Sequence, residues 1–91
     1  MIGESILSDK EFGYMTDSCT IFNIDASLPK LNNTKNLPYT LSSSDTSIAE
    51  ITNNTIVIRG TSGDTTITAS FTGNGRYNAK SCSYLLIVAI A

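Results

Sequence analysis

The stretch Thr65-Thr66-Ile67-Thr68-Ala69-Ser70-Phe71-Thr72 decides how this chain folds. Thr65, Ile67, Ala69 and Phe71 alternate with Thr66, Thr68, Ser70 and Thr72. Successive side chains of a strand point to opposite faces, so the first set reads as a core face and the second as a wet face. Gly73-Asn74-Gly75 ends the run.

Working outward from this strand, the rest of the chain reads as more strands. Residues 82–90 form the last one, with Tyr77 packing back on the core from the loop before it. Upstream, Gly60 to Gly63 is a turn. Residues 48–51 and 55–59 are the arms of a hairpin turning at Asn53-Asn54, because both asparagines tolerate positive φ. Ser44-Asp45-Thr46-Ser47 is a turn that the Asp45 side chain closes. Residues 39–43 alternate as a strand, with Pro38 just before it, where no ladder donor is needed. Asn32-Asn33-Thr34-Lys35-Asn36 is a turn cluster. Pro29 marks residues 28–31 as an edge or a bend, and residues 19–24 read as the first strand. Residues 1–18 are an N-terminal arm with Phe12, Tyr14 and Met15 for anchorage. No stretch keeps a helical period. The expectation is one all-β domain over residues 1–91, with an arm at 1–18 and a β-sandwich of roughly seven strands at 19–91.

Composition narrows the function classes. A chain of 91 residues makes one small domain with room for a single core layer, in which a deep catalytic cleft is hard to build. Six basic and eight acidic residues leave a net charge of −2, and the cations are scattered, so the basic footprint of a nucleic-acid binder is missing. There is no histidine, which excludes a Cys/His zinc site and a Ser-His nucleophile. Lys80 and Ser81 are neighbours on a strand and point apart. Calcium takes an array of oxygen ligands, and Asp45 and Asp64 stand alone in loops, so they read as turn residues. Asn32-Asn33-Thr34 and Asn53-Asn54-Thr55 match the glycosylation sequon and read as turns as well. No catalytic residue, metal or cofactor is expected.

The start of the chain has no basic, apolar leader. The apolar run at residues 84–91 is far shorter than the roughly 20 residues that span a bilayer, so no membrane insertion is expected. Cys19 and Cys82 form a disulfide if the first and last strands bring them together; otherwise they are two reduced thiols, as a cytoplasmic origin favours.

The last strand is unusual. Cys82, Tyr84, Leu86, Val88 and Ile90 share one face, and Leu85, Ile87, Ala89 and Ala91, also apolar, share the other. A strand with one wet face should alternate with polar residues. Either residues 1–18 cover the second face, or a partner chain does. The candidate partner contacts are Phe12, Tyr14, Leu85, Ile87, Ala89 and Ile90.

Residues 28–88 resemble the bacterial immunoglobulin-like domains of group 2. The resemblance is carried by Ser42-Ser43-Ser44-Asp45-Thr46-Ser47-Ile48-Ala49, by Gly63-Asp64-Thr65-Thr66-Ile67-Thr68-Ala69-Ser70-Phe71 with Gly73-Asn74 and Tyr77 following, and by Leu85-Leu86-Ile87-Val88. It implies an immunoglobulin-like β-sandwich that binds or spaces, with no shared catalytic motif. One expected setting is an accessory decoration protein on the capsid or tail of a tailed bacteriophage. It would be made in the host cytoplasm and partnered by the major capsid or other virion proteins. That expectation rests on a chain that starts at Met1, lacks a secretion signal and ends at an apolar strand. The alternative is a spacer or adhesion module of a bacterial cell-surface protein, with neighbouring domains, host protein or carbohydrate as its partners.

Overall fold

Eight strands follow one another in residues 7–90, the part of the chain that the computed structural model describes. They are β1 (Phe12–Gly13), β2 (Ser18–Ile21), β3 (Asn32–Asn33), β4 (Thr40–Ser43), β5 (Ala49–Thr52), β6 (Thr55–Ile58), β7 (Gly63–Phe71) and β8 (Lys80–Val88). The protein is all-β, with its strands in three sheets. Residues 1–6 of the expected arm, and Ala91 of the last strand, lie outside the described residues.

The alternating stretch is the heart of β7, which pairs antiparallel with β8 along its whole length, from Gly63↔Val88 to Phe71↔Lys80. This register puts the apolar sets of both strands on one face. Ile67 lies beside Tyr84, and Thr65 beside Leu86. All four are buried. β4 and β2 complete a sheet of order β2-β8-β7-β4, β4 antiparallel to β7 and β2 parallel to β8. A parallel neighbour needs a long crossover rather than a tight turn; here the chain between β2 and β8 supplies it.

The small sheets cover the inner face of this central sheet. At one end, Ile48 and Ala49 pack with Ile21, Ile67, Tyr84, Leu86 and Val88, and Ile56 and Ile58 of β6 lie against that cluster. At the other end, Leu7 and Phe12 pack with Leu37, Ala69 and Phe71. Phe12 is fully buried, its ring 6.2 Å from that of Tyr39 and 6.0 Å from that of Phe71. Burying a side chain of this size is worth about 1.5–3 kcal/mol, so Leu7 and Phe12 anchor residues 7–13 to the core rather than leaving them an appendage. A turn at Ser8 aims it: the Phe12 N–H donates to the Ser8 carbonyl at 2.9 Å, and the Ser8 N–H donates to Glu11 Oε1 at 3.0 Å. Gly13 fits because a Cβ there would sit 2.8 Å from the Asp9 carbonyl oxygen.

Several expectations are corrected. Asn32 and Asn33, read as a turn, form β3 by pairing with β1, and Asn36, at φ 53°, makes the turn that follows. The first long strand stops at Ile21 instead of 24, and β8 begins at Lys80. Met15, expected as an anchor, is exposed. The Asn53-Asn54 hairpin is found where it was placed, with φ of 51° and 59°. Asp45 closes its turn, accepting from the Ser47 N–H at 3.0 Å and the Ser47 hydroxyl at 2.6 Å.

Asparagine side chains stand in for missing backbone partners. Asn33 Nδ2 donates to the Leu37 carbonyl and its Oδ1 accepts the Leu37 N–H, both at 2.8 Å. Asn54 does the same for the outer edge of β4: its Oδ1 accepts the Leu41 N–H at 2.7 Å and its Nδ2 donates to the Tyr39 carbonyl at 2.9 Å. A carboxamide has the donor–acceptor geometry of a peptide group, so the hairpin tip closes that edge as another strand would.

The two cysteines are free. Cys19 lies beside Leu86, so Cys82 is four residues further along β8, about 13 Å away along the strand. A disulfide needs Cα atoms within about 7 Å. Denatured, non-reduced protein is therefore expected to take up an alkylating group on each cysteine by intact mass. An internally bridged monomer would mean that β2 pairs with β8 in another register.

Thr65 is the polar pin of the core. Its hydroxyl, buried at one end of β7, contacts Ser43 Oγ at 2.8 Å and Ser44 Oγ at 3.2 Å, and accepts the Asp45 N–H at 2.9 Å. Ser44 Oγ in turn accepts the Thr66 N–H at 2.9 Å. Thr65→Val keeps the shape and orphans this network. It is expected to cost about 1–3 kcal/mol in urea unfolding, against less than about 0.5 kcal/mol for Thr68→Val on the outer face.

Candidate functional site

The central sheet has one face without a cover among the described residues. Alternation puts Thr40 and Ser42 of β4, Asp64, Thr66, Thr68 and Ser70 of β7, and Ser81 and Ser83 of β8 on it. Hydroxyls dominate this surface. The exception is a stripe along β8 and β2. Leu85 is 37% exposed and lies between Ser18 and Thr66; Ile87 is half-buried between Thr20 and Asp64; Ala89 is exposed. Phe22, 69% exposed, follows directly on β2.

The expected contacts therefore divide. Leu85, Ile87 and Ala89 lie together on the outer face. Phe12 is withdrawn into the core. Tyr14 is half-buried on the inner side, its ring edge-on to Tyr84 at 4.7 Å between centroids. Ile90 packs partly against the core, and its carbonyl accepts the Ser62 hydroxyl at 2.7 Å. Residues 7–14 lie on the inner face, so of the two readings of the last strand, a cover from the described part of the arm is not what this structure has. Phe22, placed in the first strand by its sequence, lies just past the early end of β2 and is exposed.

The electrostatics are mild. Lys80 pairs with Asp9 at 2.9 Å, Arg59 with Glu50 at 3.0 Å and Lys35 with Glu11 at 3.6 Å. Surface pairs of this kind contribute little. The hydrogen bond from the backbone of Ser8, with Lys35 nearby, holds the Glu11 carboxyl below its ordinary range. Lys80 is thus committed to Asp9 rather than to Ser81. Among the described residues there is no group of three or more side chains suited to hold a metal ion, and no helix long and apolar enough to cross a membrane. The buried Tyr84 hydroxyl has no hydrogen-bond partner among the described residues.

Comparison of the chain with protein-family models, with curated proteins and with solved structures finds no match. The resemblance to immunoglobulin-like domains thus rests on the segments quoted above.

Burial raises the Tyr14 phenol from 10.0 to about 12, with Cys82 and Tyr39 adding to the rise, and it raises Tyr84 in the same direction. It also lifts the Cys82 thiol above 9.0. The folded chain then keeps protons that the unfolded chain releases. The stability these groups contribute is whole below their unfolded values and is lost as pH climbs through the folded ones. Urea midpoints are expected to begin falling near pH 9, where the unfolded thiol ionises, and to drop further between pH 10 and 12. Tyr14→Phe should make the later drop shallower; an unchanged alkaline profile would place Tyr14 in water.

Proposed function

We propose that this protein is a non-enzymatic structural and binding module with an immunoglobulin-like sandwich fold, which docks on a larger protein through the outer face of its central sheet. The observation that carries this reading is the stripe of Leu85, Ile87 and Ala89 on a face otherwise made mostly of serine and threonine. A lone monomer gains nothing from apolar side chains there, and contiguous exposed apolar surface marks interaction sites. The assembly we favour is the virion of a tailed bacteriophage, on capsid or tail, where the chain acts as a decoration protein held by the major capsid or another virion protein.

A second reading is a spacer or adhesion module at a bacterial cell surface. The exposed Phe22 ring beside the hydroxyl-rich face favours it. An aromatic platform flanked by hydroxyls is suited to carbohydrate. Neither reading involves nucleic acid or membrane insertion.

Density-gradient fractionation of the producing culture separates the two. On the virion reading, the intact 9.7 kDa chain bands with virions and survives a salt wash. Peptides found only within a larger envelope polypeptide would establish the surface reading instead. The double substitution Leu85→Ser and Ile87→Thr continues the hydroxyl pattern of the face and should leave the fold intact. It is expected to weaken association at least about tenfold. Unchanged binding by a folded variant would remove the outer face from the interface.

A further inference from the structure

The central sheet ends in two edges, and they are treated differently. The edge at β4 is closed by the Asn54 side chain on Tyr39 and Leu41. The edge at β2 has no such closure among the described residues, where β8 is its sole neighbour. The Leu85 N–H donates to the Asp17 carbonyl at 2.9 Å, and the Ala89 N–H to the Ile21 carbonyl at 2.8 Å. Residues of odd number in this stretch therefore aim their backbone at β8, and Ser18, Thr20 and Phe22 aim theirs away. The Ser18 carbonyl accepts the Thr16 hydroxyl at 2.8 Å. The N–H and carbonyl of Thr20 have no hydrogen-bond partner among the described residues. An exposed row of this kind is a template for another strand.

Two further features surround this edge. The large apolar side chains that the described residues expose are Met15, Phe22, Ile24, Val57 and Leu85. All but Val57 lie within a few residues of β2 or across from it. The segment 15–26 also carries two carboxylates, Asp17 and Asp25, and no lysine or arginine. Both carboxylates are exposed, and neither makes a salt bridge among the described residues.

We infer that the open edge of β2 binds an extended segment of a partner protein, which adds to the sheet as a further strand and carries alternating apolar residues between basic ends. The backbone row of Ser18, Thr20 and Phe22 supplies main-chain hydrogen bonds, the usual source of affinity in strand addition. Phe22 and Leu85 receive the apolar side chains, and Asp17 and Asp25 attract the basic ends. A second copy of this chain fits less well, since pairing two β2 segments gathers four carboxylates with no cation from either segment. Leu85 borders both this edge and the outer face proposed above, but the outward main-chain row of Ser18, Thr20 and Phe22 belongs to the edge alone, so amide protection there tells the two apart.

The test uses the full chain and a short synthetic peptide of alternating valine and threonine with lysine at both ends. Amide hydrogen exchange is followed by NMR. Saturable binding is expected, with slowed exchange at Ser18, Thr20 and Phe22. Cys19 and Ile21, already facing β8, should change little. Replacing the peptide's lysines by glutamates is expected to weaken binding about tenfold. Thr20→Pro removes an outward N–H at a site where edge proline is tolerated, and should weaken it about as much. Asp17→Asn with Asp25→Asn should erase the preference for lysine ends. Peptide binding that leaves the Ser18 and Thr20 amides unprotected would overturn the inference in favour of the outer face. Protection that rises with protein concentration alone would replace the partner strand by a second copy. Absence of saturable binding would also overturn it.

Discussion

The antiparallel ladder between β7 and β8 is the constraint on which the rest of the molecule depends. Both strands run for nine residues, and both turn a row of apolar side chains at every second position to the inner face, to which β8 adds Leu85 and Ile87 on the other. Because the period of a strand is two, a slip of one residue would turn Ile67, Ala69 and Phe71 to water while bringing threonine inside. The observed register avoids this: it sets Ile67 beside Tyr84 and Ala69 beside Cys82 on the inner face. The continuous apolar surface so formed is longer than any other element, and the short strands take their places as covers for its two ends.

The covers are held by polar devices rather than by long ladders. β1 and β3 have two residues each, too few to persist as an isolated pair. They persist because Phe12 is buried behind them and because Asn33 closes the loop to Leu37 from both its amide atoms. At the other end, Thr65 draws the loop through Ser43, Ser44 and Asp45 onto the sheet, which delivers Ile48 and Ala49 to the core. A domain of this size has little apolar area to spend, and fully satisfied buried polar groups make up part of the difference by fixing a single arrangement. The lone buried hydroxyl of Tyr84 is the exception among the described residues.

The same economy shapes the surface. The outer face is mostly serine and threonine, and the Asn54 amide closes one edge of the sheet. Apart from Val57, the large apolar side chains exposed among the described residues collect near β2 and along β8, around Phe22, Leu85 and Ile87. Unpaired backbone and exposed apolar area therefore coincide in one corner of the molecule, where an attachment would cost the fold least.

By itself, the sequence determined the elements whose signal is local. The alternation at residues 65–71 sets β7, positive φ at Asn53 and Asn54 sets the hairpin, and the short side chain of Asp45 closes its own turn. The two-sided apolar character of the last strand was legible too, and with it Leu85, Ile87 and Ala89 as surface candidates. Tertiary structure decided what depends on partners distant in the chain. Asn32 and Asn33 have turn chemistry, yet become a strand because β1 lies alongside. Phe12 sits in an unpatterned stretch, and only the gap above Ala69 and Phe71 makes it core. The parallel docking of β2 keeps Cys19 away from Cys82 and leaves one edge of the sheet open among the described residues, and no local periodicity encodes which neighbour a strand will choose.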